Sequence, residues 1–325
     1  QWLCGSRSRG AWCVTSILLL LCFKGSQQFA CISTHDPAPG RFAQQILPDQ
    51  VHILNVSFLV PTLRREWGGC AGNIAYTLKL LGGEPVILGA LGSDGAEYLA
   101  RFAQLGIDTS SVRVEREHHT AQCMIITDQD NNQINAFHPG AMSVAHRALV
   151  PRREQRGDLA IGIIAPDGRQ AMAEHARQMH EAGIPFVFDP GQQLPQFDGA
   201  EHREILSMAR WVAVNDYEGR MLCERTGESL AQMSRRPNID GIVVTLAAEG
   251  CDVWQRGESS RVPGHVAQAV VDPTGCGDAF RAGLLYALER GWPLDRAAAL
   301  GNRLGAIKIA HRGGQNHRFE PSSLG

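Results

Sequence analysis

Short, wholly apolar runs recur along this chain with polar-faced stretches between them, and nothing else in the sequence limits the fold so strongly. Pro85-Val-Ile-Leu-Gly-Ala90, Asp158-Leu-Ala-Ile-Gly-Ile-Ile164, Pro185-Phe-Val-Phe-Asp189, Trp211-Val-Ala-Val214 and Ile242-Val-Val-Thr245 have the length and β-branched content of buried strands. After Ala71, the residues Ile74, Ala75, Leu78 and Leu81 form one apolar stripe at helical spacing. Residues 97–105, 169–182, 201–209 and 218–225 also read as helices, most of them closed by a nearby glycine. Strands that are apolar throughout need cover on both faces. The pattern therefore predicts an α/β fold with a mostly parallel sheet between two helical layers.

Two stretches depart from this rhythm. Residues 39–66 and 112–138 carry extended, part-polar segments, among them Gln122-Cys-Met-Ile-Ile-Thr127, a turn at Asp130-Asn-Asn132, and Gln133-Ile-Asn-Ala-Phe137. They are expected to form a small β-sheet standing off the main domain as a lid. The main domain would then comprise residues 67–111 and 139–325, and residues 1–38 are an atypical N-terminal segment. There, Arg7 and Arg9 precede the run Ala11-Trp-Cys-Val-Thr-Ser-Ile-Leu-Leu-Leu-Leu-Cys-Phe23. Alone this resembles a secretory signal, but a buried strand or helix, or a stretch of altered sequence, is the preferred reading. It is short for a membrane span.

Charge removes some functions. With 31 basic and 33 acidic residues the formal net charge is -2, which disfavours nucleic acid as a partner. Only Lys24, Lys79 and Lys308 are lysines, and none follows the glycine pattern of a Walker-type phosphate loop. The nine cysteines include no C-x-x-C pair, so reduced thiols in a cytoplasmic protein are expected.

Phosphate chemistry concentrates at Val270-Val-Asp-Pro-Thr-Gly-Cys-Gly-Asp-Ala-Phe280, a glycine turn that opens a helix. Gly275 and Gly277 allow close backbone approach, and a helix N-terminus suits an anion. Asp278 beside a bound phosphate makes sense as a general base for an attacking hydroxyl, although an early-turn acid alone would merely complement the helix dipole. Cys276 has no activating base in view, so a phosphocysteine route is not expected.

Asp272-Pro-Thr-Gly-Cys-Gly-Asp-Ala-Phe280 resembles the C-terminal signature of the ribokinase-like (PfkB) family, closest to its bacterial adenosine and nucleoside kinases. Gly68-Gly-Cys-Ala-Gly-Asn73 is similar to the family's N-terminal signature, and Asn215-Asp-Tyr-Glu218 to its N-x-x-E motif. Ile46-Leu-Pro-Asp-Gln50, His138-Pro-Gly-Ala-Met142, Asp189-Pro-Gly-Gln192, Val244-Thr-Leu246 and Gly313-Gly-Gln-Asn-His317 match in the family's order, so the resemblance spans roughly residues 39–320. It implies a Rossmann-type three-layer sandwich with a β lid, and transfer of a phosphoryl group from ATP to a nucleoside 5′-hydroxyl. Asp278 would be the base, with the amides of Gly275, Cys276 and Gly277 as anion hole. Gly68, Gly69, Asn73 and His138 would meet the substrate. Asn215, Thr245, Thr274 and Asn302 would serve the nucleotide. Glu218 and Asn215 would serve Mg2+, and the resemblance leaves K+ open as a second cation.

The partners implied are a small nucleoside or sugar, with no membrane, for a monomer or homodimer. Alternatives are a ribose- or fructose-type sugar kinase and a nucleoside-binding homologue impaired by its N-terminus. The family's first strand ends in a sugar-binding aspartate. Here Leu3-Cys-Gly-Ser6 resembles that strand's start but Arg7-Ser-Arg-Gly10 follows, leaving Asp36 as the substitute. Ala247 replaces a usual glycine and Gly314 a common threonine.

Overall fold

Within the described residues, every apolar run named above is a strand of one sheet. The computed structural model describes residues 16–20, 32–33, 41–42, 46, 57–60, 63–128, 133–152 and 159–324. The strands are β1 (Ser16–Leu20), β2 (Ile32–Ser33), β3 (Pro85–Gly92), β4 (Asp108–Glu115), β5 (Gln122–Thr127) and β6 (Gln133–His138). They continue with β7 (Leu159–Ile164), β8 (Phe186–Phe188), β9 (Trp211–Asn215), β10 (Gly241–Thr245), β11 (Gly250–Gln255) and β12 (Glu258–Pro263). Nine of them form one sheet in the order β12-β11-β10-β9-β8-β7-β1-β3-β4. Pairing is parallel from β10 to β4 and antiparallel only along β10-β11-β12.

Successive side chains on a strand point to opposite faces, and here each face meets its own helical layer. Val187, Ala213 and Val243 enter one core, which is closed by α1 (Cys70–Leu80), α2 (Ala96–Gln104), α7 (Cys276–Glu289) and α8 (Leu294–Ile309). Their neighbours Phe186, Phe188, Val212, Val214, Ile242 and Val244 enter the other. That second core is closed by α3 (Arg169–Glu181), α4 (Gly199–Met208), α5 (Asp216–Thr226) and the short α6 (Leu230–Met233). The three-layer sandwich is as expected. The β11–β12 hairpin and α8 were not read from the sequence.

The ambiguous apolar run near the N-terminus contributes β1, which lies between β7 and β3 in the middle of the sheet. A strand is thus the form that Ser16–Leu20 takes. The stretch 3–10 and Asp36 lie outside the described residues.

A small sheet of order β2-β5-β6 stands apart, with β5 and β6 as the expected hairpin. Its boundaries differ from expectation. Residues 112–115 belong to β4 at the edge of the large sheet, and β2 comes from the segment assigned to 1–38. At the root of the hairpin, Asp94 Oδ1 accepts from both the backbone N–H and the hydroxyl of Thr120, each at 2.7 Å. The Thr120 hydroxyl also accepts from Gly92 N–H at 3.0 Å, tying the root to the end of β3.

Candidate functional site

Parallel strands end together, and ligands of such sheets bind beyond their carboxyl ends. Asp189 follows β8, Asn215 ends β9 and Thr245 ends β10, the last two being partners in register. The glycine turn before α7 is built by its own aspartate. Asp272 Oδ1 accepts from Thr274 N–H at 2.8 Å, and Asp272 Oδ2 accepts from Gly313 N–H at 2.7 Å. Beneath it, the fully buried Lys308 ammonium donates to the carbonyls of Asp272 and His311 at 2.8 and 2.9 Å.

Gly275 caps α7 with φ 81, a left-handed conformation that glycine adopts without strain. A Cβ on it would stand 3.1 Å from the Cα of Gly314, so the turn and the C-terminal loop close on each other through two glycines. Among the described residues, the amides of Gly275 and Gly277 donate to no acceptor. The expected third member of this set is different: Cys276 N–H donates to Pro273 O at 3.1 Å and is spent inside the turn. Burial pushes the Cys276 thiol up to about 11, so it is protonated at neutral pH and unsuited to nucleophilic attack.

Asp278 faces this turn, partly buried, and Asn73 Nδ2 donates to its Oδ2 at 2.7 Å. Burial raises the Asp278 carboxyl above its usual range, and Asn73 and the Arg281 charge oppose the shift without cancelling it. The orientation of Asn73 is itself fixed. Gln315 Nε2 donates to Asn73 Oδ1 at 3.2 Å and to the Tyr98 hydroxyl at 2.6 Å. The Tyr98 hydroxyl in turn donates to Gly68 O at 2.6 Å. Arg101 Nε and Nη2 donate to the side-chain and backbone oxygens of Gln315, each at 3.2 Å. Donors therefore run in one direction, from Arg101 through Gln315 and Asn73 to Asp278. Only an acceptor completes the series, which favours the carboxylate form.

Arg281, one turn beyond Asp278, makes a buried bidentate ion pair with Asp189, Nε and Nη2 lying 3.0 and 3.1 Å from its two oxygens. Burial works against the charged guanidinium, but Asp189 outweighs it and holds Arg281 above its ordinary value.

The remaining expected residues divide. Gly68 and Gly69 open α1, Gly69 at φ 87, within reach of the same cluster. His138 is exposed at the end of β6, on the small sheet. Thr245 donates to Val214 O at 3.4 Å. Thr274 is exposed on the turn. Asn302 uses its amide to pin α8 against the end of β12, donating to Pro263 O at 3.0 Å and Val262 O at 3.3 Å, not against the glycine turn. Asn215 and Glu218 form a reciprocal capping box at the start of α5, both bonds 2.8 Å. Capping that helix is what the two side chains do here. No group of three or more His, Cys, Asp or Glu side chains able to hold a metal occurs among the described residues. The oxygen donors of Asn215 and Glu218 are of the kind that suits a hard, largely hydrated ion such as Mg2+.

Sequence reasoning missed Tyr98, Arg101 and Arg281, and it foresaw the placement of neither Gln315 nor Lys308. Arg281 carried a signal, since residues three apart on a helix share a face. Lys308 was conspicuous only as a rare lysine. Gln315 stood within the Gly313–His317 match, but its bond to Asn73 spans 242 positions of chain and has no local signal.

Comparison with known proteins agrees with this architecture. The family described as pfkB family carbohydrate kinase matches residues 44–320. The chain is 28% identical over 265 residues to a nucleoside kinase of Methanocaldococcus jannaschii, covering 81% of this chain and 85% of that protein. The structure of Burkholderia thailandensis nucleoside kinase in complex with inosine superposes with a TM-score of 0.81 at 42% identity, covering 95% of each chain. Its complex with ADP-inosine gives 0.79 at 43% identity, covering 95% of this chain and 93% of that one. No helix among the described residues is long and apolar enough to cross a membrane.

Proposed function

This chain belongs to the pfkB family of carbohydrate kinases and is a phosphotransferase acting on a hydroxyl; from that premise we propose that it phosphorylates the 5′-hydroxyl of a nucleoside with ATP. One observation carries the reading: Asp278 sits against the open amides of Gly275 and Gly277 at a helix start, held by Asn73. The likeness at 42% identity to a kinase solved with inosine supports a nucleoside acceptor.

In this mechanism the 5′-oxygen attacks the γ-phosphorus, its proton passes to the Asp278 carboxylate, and the bond to the β-phosphate oxygen breaks to release ADP. Asn73 fixes the carboxylate's rotation so that the proton acceptor is in place before the acceptor alcohol binds. The Gly275 and Gly277 amides, with the α7 N-terminus behind them, stabilise charge growing on the transferring oxygens. Mg2+ entering with the triphosphate would offset β- and γ-phosphate charge, with Glu218 as the nearby acid acting through water. Gly68, Gly69 and His138 are assigned to the sugar side. The small sheet, rooted at Asp94 and Thr120, is assigned to closing over it and excluding water. An ATP-using enzyme with reduced thiols belongs in the cytoplasm.

The test is ADP release from MgATP in the presence of KCl with inosine, adenosine, guanosine, cytidine, ribose and fructose as acceptors, each metal salt then omitted in turn. Nucleosides are expected to exceed both sugars in kcat/KM by at least tenfold. Faster turnover of ribose or fructose would replace this reading by a sugar kinase. Binding of nucleosides without ADP release would replace it by an impaired homologue.

A further inference from the structure

We propose that Arg281 is a further catalytic residue, its guanidinium end fork binding the phosphoryl group in transit beside Gly277. This rests on the phosphotransfer reading above. A guanidinium has five N–H donors in a rigid fork. Asp189 engages the Nε and Nη2 side in a bidentate pair, which leaves the Nη1–Nη2 end. Among the described residues, Nη1 donates to no acceptor, although Arg281 is only 7% exposed. Its direction is set by Gly277: a Cβ added there would lie 3.3 Å from Nη1. The fork therefore borders the turn whose amides are open, on the same helical face as Asp278. A side chain at position 277 would stand in this gap, which gives the glycine a second purpose.

The ion pair itself argues for function. Two buried charges lose hydration that their attraction barely returns, so such a pair is a poor stabilising device. It is a good way of holding one end of a guanidinium rigid and the other ready for a planar, multiply charged oxygen group. An ammonium in the same place keeps the charge but loses the fork.

The experiment compares wild type, Arg281→Lys, Arg281→Ala and the neutral pair Asp189→Asn/Arg281→Gln in steady-state kinetics, thermal unfolding and affinity for ADP with aluminium fluoride plus nucleoside. In Arg281→Lys and the neutral pair, kcat is expected to fall about 10²–10³-fold, the loss typical of one oxyanion donor. Acceptor KM should change far less, and the fluoride complex should weaken in parallel with kcat. Added guanidinium should partly restore Arg281→Ala. The neutral pair keeps the test valid if a lone buried Asp189 unfolds the single variant. Near-wild-type kcat in folded Arg281→Lys and the neutral pair would overturn the proposal and leave Arg281 as a staple between α7 and β8. A wild type without phosphotransfer would instead overturn the functional reading.

Discussion

Gly314 packs so tightly on Asn73 that an added Cβ would stand 2.3 Å from its Oδ1 and 2.6 Å from the Nδ2 that holds Asp278. The threonine common at this place in the family cannot be accommodated unless Asn73 moves. Gly314→Thr is therefore expected to lower kcat at least tenfold while the protein remains folded, measured by turnover against circular dichroism; unchanged kcat would show that Asn73 does not position the base. The other departure behaves oppositely. Ala247 holds φ 50, one of two non-glycine residues described with positive φ, so the missing glycine leaves strain in place. Ala247→Gly should stabilise the protein by about 1 kcal/mol, read from denaturant midpoints. Both positions stood out in the sequence as deviations, but their opposite meanings depend on a neighbour and a dihedral angle. Neither is visible in residue order.

At the scale of elements, α8 supports the glycine turn from below. Val271 and Asp272 N–H groups reach Ile309 O at 2.9 and 3.1 Å, and Lys308 takes the carbonyl of Asp272. Burial lowers the Lys308 ammonium below its usual range, with Asp272 opposing the shift. Lys308→Met would remove the ammonium from two carbonyls, leaving Asp272 O only the weak Cys276 thiol donor. A loss of about 1–3 kcal/mol is expected, with weaker ATP binding by calorimetry; wild-type affinity would separate α8 from the turn's geometry. The strands from β7 to β10 were legible because a parallel sheet buried on both faces leaves unbroken apolar runs. β12 is mostly exposed and carries Glu258-Ser-Ser-Arg261, so it sends no such signal. β1 was legible as apolar but not as a strand, because a short greasy run looks alike in a sheet, a helix or a leader.

For the whole molecule, buried histidines give acid sensitivity, and of the three among the described residues His175 and His317 are the two whose shifts are large. Burial lowers His175 to about 4, partly opposed by its bond to Ala148 O. Burial also lowers His317 to about 3, with Lys308 and His311 adding to the shift, while its Nε2 lies 3.0 Å from the Thr77 hydroxyl. In the unfolded chain both titrate near 6.5. Below that pH the unfolded chain takes up protons that the native state refuses, so their stabilising contribution is intact above pH 6.5. It is lost as pH falls toward 4 and 3. Tm measured by calorimetry should drop across that window, and a Tm that rises on acidification there would show these rings to be protonated in the fold. The layered architecture and the order of the signatures were readable from the chain, since both follow from local periodicity and glycine turns. The donor series ending on Asp278 was not, because it joins α1, α2, α7 and the C-terminal loop only after folding. All of these parts converge on one carboxylate, so the most direct measurement is turnover of Asp278→Asn with MgATP and inosine beside its ATP affinity. The account expects kcat to fall about 10²–10⁴-fold with ATP binding retained. Undiminished turnover in that variant would contradict it.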